Sequence, residues 1–210
     1  RWKRVTGVQT CALPIWEAIT RRAEFDYTHK KQTGGSGQFG RVVGYMEPVQ
    51  DKDYEFVDEI KGGVIPNEFI PSCDKGFQAA RAKGTLIGFP IINILCAIND
   101  GATHPVDSSD LAFQQAAIGA FRQAYEKAAP VILEPIMKVE VTTPTQYVGD
   151  VMSDISARRG KVTGMENHAG AEIVKAQVPM GDMFGYATSV RSLTQGRATY
   201  TMQFLRYEQV

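Results

Sequence analysis

Cysteine is scarce in this 210-residue chain: Cys11, Cys73 and Cys96 are odd in number, far apart and without C-x-x-C spacing. That pattern argues against a zinc site or a disulfide framework and favours a reducing compartment. Charge of one sign is missing too, since the formal net charge is zero. Binding to nucleic acid would have to rest on local basic clusters, His29, Lys30 and Lys31 or Arg158, Arg159 and Lys161, rather than on global steering. A solvated charged face is the plainer reading of each cluster. No apolar run approaches the roughly 18 residues of a membrane helix, and Pro66, Pro71, Pro90 and Pro105 punctuate the apolar stretches. With 43% hydrophobic residues the chain can still bury real cores, as one large or two small domains.

Glycine, by contrast, is concentrated where it matters. Residues 32–42 read QTGGSGQFGRV, and Gly35, Gly37, Gly40 and Val42 fit both the dinucleotide-binding and the protein-kinase glycine patterns. The flanks exclude the first. A dinucleotide loop needs a buried strand before it and a helix after it to hold the pyrophosphate. Here residues 22–32 alternate like a half-solvated strand, and residues 41–49 read as a second strand. A kinase would need an H-R-D loop and a D-F-G metal ligand, and neither is present. The segment reads as a long, flexible hairpin tip, an exposed turn or nucleic-acid contact loop.

Further along, residues 54–60 form a short strand turned by Gly62 and Gly63. Pro66 opens a helix running to Lys83 and stopped by Gly84, with Phe69, Phe77 and Ala80 inward. An apolar strand over residues 91–98 precedes a polar loop, residues 99–106 (NDGATHPV). Asp107 or Ser108 caps the next helix, whose stripe is Leu111, Ile118, Phe121 and Tyr125, and Pro130 stops it. Asp107 and Asp110 could mimic a catalytic pair, but a helix start makes capping the better reading.

Past residue 134 the order becomes strand, helix, strand, strand, helix, strand. Residues 136–141 are a strand, and Thr143, Pro144 and Gln146 suggest a capping box. Val148, Val151, Met152 and Ile155 form a buried stripe on a helix that Gly160 ends. Strands over 161–165 and 171–178 flank a turn. A second helix over about 181–194 turns Met183, Phe184, Ala187 and Val190 inward, Gly196 stops it, and 197–207 is the last strand. That order is the ferredoxin-like split βαβ arrangement, so the whole chain is α+β with two domains. Residues 1–15 have no clear period and resemble translated sequencing adaptor, so they are set aside as non-native. The expected division is 1–15 non-native, 16–134 and 135–210.

The stretches THKKQTGGSGQFGRV, IPSCDKGFQAA, DGATHPVDSSDLAF, LEPIMKVEV, SARRGKVTGM and VPMGDMFGYATSVRSLTQGRATYTMQF closely resemble the C-terminal part of the elongation factor G family of ribosomal translocases. The resemblance covers about residues 17–210, with the motifs in the family's order. The wording THKKQTGG is closer to the mitochondrial-type branch. The resemblance implies a βαβ fold of the small-subunit ribosomal protein type, the family's fourth domain, followed by the ferredoxin-like fifth. It implies a part of a translation factor that binds the ribosome, meeting ribosomal, transfer and messenger RNA, as a monomer in the cytoplasm or the mitochondrial matrix. The family's GTPase domain, with its G-x-x-x-x-G-K-[ST] loop, has no counterpart in this sequence. No catalysis and no cofactor are therefore expected of this chain, with GTP and magnesium belonging to the intact parent.

By the same resemblance the tip that enters the decoding site comprises Gly34, Gly35, Ser36, Gly37, Gln38 and Phe39 with His104 and Pro105, and Arg191 and Ser192 meet large-subunit RNA. The chemistry suits those roles. Glycines let backbone amides approach phosphate and sugar oxygens, Gln38 and His104 can bond a nucleotide edge or ribose, and arginine offers bidentate phosphate recognition. His29 and His168 read as plain strand and turn residues. Two rivals are a ribosomal-protection protein of the tetracycline-resistance type, which shares these domains, and a nucleotide-using enzyme built on the glycine loop.

Overall fold

The computed structural model describes residues 14–32, 37–168 and 170–210. Its elements divide into two compact units, residues 16–132 and residues 133–210. Of the segment set aside as non-native, residues 1–13 lie outside the described residues.

The first unit begins with β1 (Trp16–Ile19) and contains β2 (Ala23–Lys31), β3 (Gln38–Pro48), β4 (Tyr54–Asp58), α1 (Ile70–Arg81), β5 (Ile94–Ala102) and α2 (Asp110–Tyr125). The sheet order is β2-β3-β5-β4. β2 and β3 form the expected antiparallel hairpin, β3 and β5 are antiparallel, and β4 and β5 are parallel neighbours joined through α1. Alternation decides the faces: Ala23 and Phe25 of β2 and Val42, Gly44 and Met46 of β3 are buried, while Glu24, Val43 and Tyr45 between them are not. Their buried side meets Phe77 of α1 and Phe113, Ala116, Ala120 and Phe121 of α2 in one core. Gly76 sits where α1 crosses α2, and a Cβ there would lie 2.5 Å from the Gln114 carbonyl oxygen. The small side chains of α2 serve the same close approach.

Several expected boundaries shift, each for a local reason. α1 starts at Ile70 and not at Pro66, because a helix begun four residues earlier would require an N–H from Pro71, which has none. Pro71 sits instead in the first turn, where the donor is not needed. β5 continues through the polar residues expected to be loop, to Ala102. β3 keeps pairing with it past a bulge between Val43 and Gly44. A Cβ at Gly44 would stand 1.9 Å from the Ala97 carbonyl oxygen, so only glycine fits that irregularity. α2 is capped by Ser109, whose Oγ accepts from Ala112 N at 3.2 Å, and not by Asp107 or Ser108. The stripe is correspondingly rotated: Leu111 is 52% exposed, and Phe113 takes the inward position.

A buried carboxylate ties the start of this unit together. Glu17 in β1 is fully buried. One of its oxygens accepts from the backbone N–H groups of Ile87, Gly88 and Phe89 at 2.9, 3.0 and 3.3 Å. The other accepts from Leu86 N at 3.2 Å and from the Tyr125 hydroxyl at 2.6 Å. Gly84 cannot be replaced without loss, since its Cβ would fall 1.9 Å from a Glu17 oxygen.

The second unit has β6 (Pro130–Pro144, which begins in the first unit), α3 (Val148–Ala157), β7 (Lys161–His168), β8 (Ala171–Pro179), α4 (Tyr186–Leu193) and β9 (Thr199–Gln209). β6 lies between β9 and β8, with β7 outside β8, and all three pairings are antiparallel. That is the ferredoxin-like order expected from the sequence. Val139 and Val141, Val174 and Val178, Val151 and Ile155, and Val190 fill its core. The capping box at Thr143 and Gln146 does not form, for Thr145–Tyr147 is a 3-10 turn with no side-chain cap. α3 ends at Ala157, and Arg159 takes the left-handed conformation (φ 57) that was expected of a glycine. Gly160 is needed for space instead, its Cβ position being 2.5 Å from the Ile155 carbonyl oxygen. α4 starts only at Tyr186, because Gly185 (φ 74) breaks the path from the preceding 3-10 turn. Phe184, expected inward, is 64% exposed, and Tyr186 fills the core in its place.

The Glu17 site makes stability depend on acid. Burial alone raises its carboxyl pKa, yet the Tyr125 hydroxyl and the amides of Ile87, Leu86 and Phe89 outweigh it and hold the group below its ordinary 4.5. A depressed folded value contributes stability that is complete above 4.5 and is lost as pH falls through the folded value. Glu17→Gln should therefore cost about 2–4 kcal/mol at neutral pH, because a carboxamide turns an N–H toward N–H donors. In urea melts it should also remove part of the stability loss seen below about pH 4.5. An unchanged acid profile would show that the carboxylate is not the titrating group.

Candidate nucleic-acid interface

The hairpin of β2 and β3 and the loop between β5 and α2 end at the same place and are hydrogen-bonded to each other. Phe39 N donates to the Asp107 carbonyl oxygen at 2.8 Å. Ser108 Oγ donates to the Phe39 carbonyl oxygen at 2.8 Å and accepts from His104 N at 2.8 Å. Ser108 N returns a bond to the His104 carbonyl oxygen at 3.2 Å, closing the loop. The Phe39 and His104 rings lie 6.2 Å apart at a tilt of 57°. The Ser108 hydroxyl is thus spent on joining the loops, and the helix cap falls to Ser109.

Within that junction His104 has one assigned tautomer. The amides of Val106 and Asp107 point at Nδ1 from 3.3 and 3.2 Å, so Nδ1 is an acceptor and the proton sits on Nε2. An Asp107 carboxylate oxygen also lies 3.5 Å from Nδ1, a contact that would attract only a protonated ring. The two amides favour Nε2–H over Nδ1–H, since a hydrogen on Nδ1 would face both of theirs. Gln38, opposite Lys31 in the register, has its Oε1 2.9 Å from His29 Nε2. His29, read as a plain strand residue, is therefore what orients Gln38.

Of the tip residues expected from the sequence, Gly37, Gln38, Phe39, His104 and Pro105 are brought together, while Gly34, Gly35 and Ser36 lie outside the described residues. Gly37 serves packing: a Cβ there would sit 2.8 Å from Asp107 Cγ. Gly40 similarly lets β3 approach the first turn of α2, 3.3 Å from the Ala112 carbonyl oxygen. Pro105 and Val106 form the outermost part of the second loop, Val106 being 80% exposed. Lys30 and Lys31 are exposed at the end of β2 and carry no ion pair among the described residues.

In the other basic cluster the two arginines are engaged within the second unit, while Lys161 is exposed. Arg158 bonds Asp154 at 2.9 Å, the Asp182 carbonyl oxygen at 2.7 Å and Ser189 Oγ at 2.8 Å, with its guanidinium 5.1 Å above the Tyr186 ring. Arg159 is held by Glu134 at 2.9 and 3.0 Å and by Asp182 at 2.8 Å. Both arginines clamp the second unit together. Arg191 and Ser192 stand exposed on α4. Burial pushes the Cys73 thiol up to about 12 and raises that of Cys96 as well, leaving both unreactive. Among the described residues no group of His, Cys, Asp and Glu could hold a metal ion, and no helix is long and apolar enough to cross a membrane.

Known proteins place this geometry. A family model described as elongation factor G, domain IV matches residues 13–129, and one described as elongation factor G C-terminus matches residues 131–210. The chain belongs to the elongation factor G family. It is 62% identical over 191 residues to elongation factor G 1 of Treponema pallidum (strain Nichols), covering 91% of this chain and 28% of that protein. It is 58% identical over 194 residues to elongation factor G 1 of Desulfotalea psychrophila, with 92% and 28% covered. A crystal structure of a protein from Thermus thermophilus superposes with a TM-score of 0.81 at 41% identity, covering 96% of this chain and 30% of that one. The chain therefore spans a little over a quarter of the length of the relatives it matches.

Two arginine substitutions separate clamp from free surface. Arg158→Ala strands Asp154 and opens the contact between α3 and α4, and should cost about 2–4 kcal/mol. Arg191→Ala should change stability by less than about 0.5 kcal/mol. Equal effects in chemical denaturation would contradict this assignment.

Proposed function

We propose that this chain is the ribosome-engaging C-terminal part of a GTP-driven translocase, and that the joined loops at Gln38, Phe39 and His104 are its contact with RNA in the decoding site. The observation that carries this reading is the junction itself. Two irregular loops far apart in sequence are fixed to one another through Ser108 and Asp107, and they present an amide side chain, an imidazole and an aromatic ring on one surface. Such a set matches RNA recognition by hydrogen bonding to ribose and base edges with stacking. Gly34, Gly35 and Ser36 continue the tip under this proposal, and Pro105 forms its edge. Arg191 and Ser192 are proposed to meet large-subunit RNA, where an exposed guanidinium can take a phosphate bidentately. The domain division at residues 16–134 and 135–210, a monomeric state and a cytoplasmic location belong to the same reading.

We assign no guanine-nucleotide or magnesium site to this chain. The glycine segment runs into β3 and not into a helix N-terminus, and Gly37 and Gly40 are occupied by contacts with Asp107 and Ala112. Nucleotide hydrolysis is accordingly assigned to the part of a full-length family member that this chain does not span, and this chain is proposed to have no catalysis of its own.

The test joins residues 16–210 to the preceding part of the Treponema pallidum relative. Replacing Gln38 and His104 together with alanine should slow messenger and transfer RNA movement about tenfold, the scale of one or two lost hydrogen bonds. GTP hydrolysis measured on the same ribosomes should stay within about twofold. Equal slowing of both steps would point to a binding or folding defect, and unchanged movement would remove these side chains from the reading.

A further inference from the structure

We propose that Ser108 is a positioning residue that fixes His104 as an Nε2–H donor, so that the tip selects a hydrogen-bond acceptor on RNA, a phosphate, ribose or base oxygen or a ring nitrogen, and discriminates against donors. This rests on the reading of the joined loops as an RNA contact. Ser108 has one hydroxyl hydrogen and uses it on the Phe39 carbonyl oxygen at 2.8 Å, while its oxygen accepts His104 N at 2.8 Å. Together with the return bond from Ser108 N to the His104 carbonyl oxygen at 3.2 Å, this closes residues 104–108 into a ring. Inside the ring, the amides of Val106 and Asp107 both point at Nδ1, from 3.3 and 3.2 Å. The imidazole therefore cannot place its proton on Nδ1 without opposing two N–H groups, and Nε2–H becomes the end that is offered outward.

The same hydroxyl is the side-chain link from this loop to β3. Through the Phe39 carbonyl it sets the separation between His104 and the strand that carries Gln38. Two bonds join the strand to the loop at this point, Ser108 Oγ to the Phe39 carbonyl oxygen and Phe39 N to the Asp107 carbonyl oxygen at 2.8 Å. Removing the hydroxyl leaves the backbone bond and frees the loop to open, with the imidazole then able to turn. Ser108 does not itself touch RNA in this arrangement. Its exposure is intermediate, and its one donor hydrogen and one of its two acceptor lone pairs are already used within the fold.

The experiment reads the tautomer and the function separately. In this chain, nitrogen-15 NMR of the His104 ring should show Nε2–H with Nδ1 unprotonated. Ser108→Ala, and Ser108→Cys as a variant of nearly unchanged shape, should give a mixture of tautomers and faster hydrogen exchange at the Phe39 amide. Ser108→Thr, which keeps the hydroxyl, should restore both signals. In the joined factor, Ser108→Ala should slow RNA movement roughly two- to tenfold, the scale of one lost hydrogen bond, with hydrolysis unchanged. An unchanged tautomer in both Ser108→Ala and Ser108→Cys overturns the proposal, whatever the ribosome assay gives. Slowing by the Gln38 and His104 replacements without slowing by Ser108→Ala also overturns it and leaves the RNA reading standing. If no tip variant slows movement, the RNA reading has failed.

Discussion

The first unit is organised around a carboxylate buried beneath a loop. Glu17 comes from β1, the four amides it receives come from residues 86–89, and the phenol that completes the set is Tyr125 at the end of α2. These partners lie from 69 to 108 residues away along the chain. A buried charge without such partners would be costly, and the amides without the charge would be stranded as well, so each side requires the other. Gly84 records the tightness of the arrangement, since any side chain there would occupy the space of a Glu17 oxygen. Through this one residue the entry of the chain, the return loop into β5 and the far end of the helix behind the tip are held in one frame.

The tip uses the same device on a smaller scale. At Glu17, backbone amides converge on a carboxylate; at His104, two amides converge on a ring nitrogen, and the result is a defined donor. α2 joins the two sites: Tyr125 closes its far end on Glu17, and Ser109 caps its near end immediately after the loop that carries His104. A rigid helix between an anchored base and a joined pair of loops gives the RNA contact proposed above a fixed support.

Most of the ion pairs in this neutral chain lie within its own fold. Arg22, Arg41, Arg158, Arg159 and Arg206 are all ion-paired with carboxylates. Charge spent in this way contributes little to a counterion-driven grip on phosphate. Under the proposed reading, contact at the tip combines directional hydrogen bonds and stacking with the exposed charges of Lys30 and Lys31 at the end of β2.

The order of elements from β2 onward, the ferredoxin-like arrangement after residue 134 and the hairpin around the glycines were legible in the sequence, because hydrophobic period and glycine or proline punctuation act locally; β1 was not. The stretches around Gly34–Phe39 and His104–Pro105 were among the six that carried the family resemblance. What the sequence could not decide were matters in which two distant segments compete for the same atoms. Ser108 reads as a helix cap until the Phe39 carbonyl is placed beside it, and Phe184 reads as core until Gly185 turns the chain. Arg158 and Arg159 look like a basic patch until Asp154, Glu134 and Asp182 surround them. His29 and Glu17 carry no local signal at all, being ordinary polar residues in strands. Local chemistry thus determined which elements form and where the exposed loops lie. Tertiary structure decided which of their polar atoms remain free to act, because a hydrogen bond already made within the fold is no longer available to a partner.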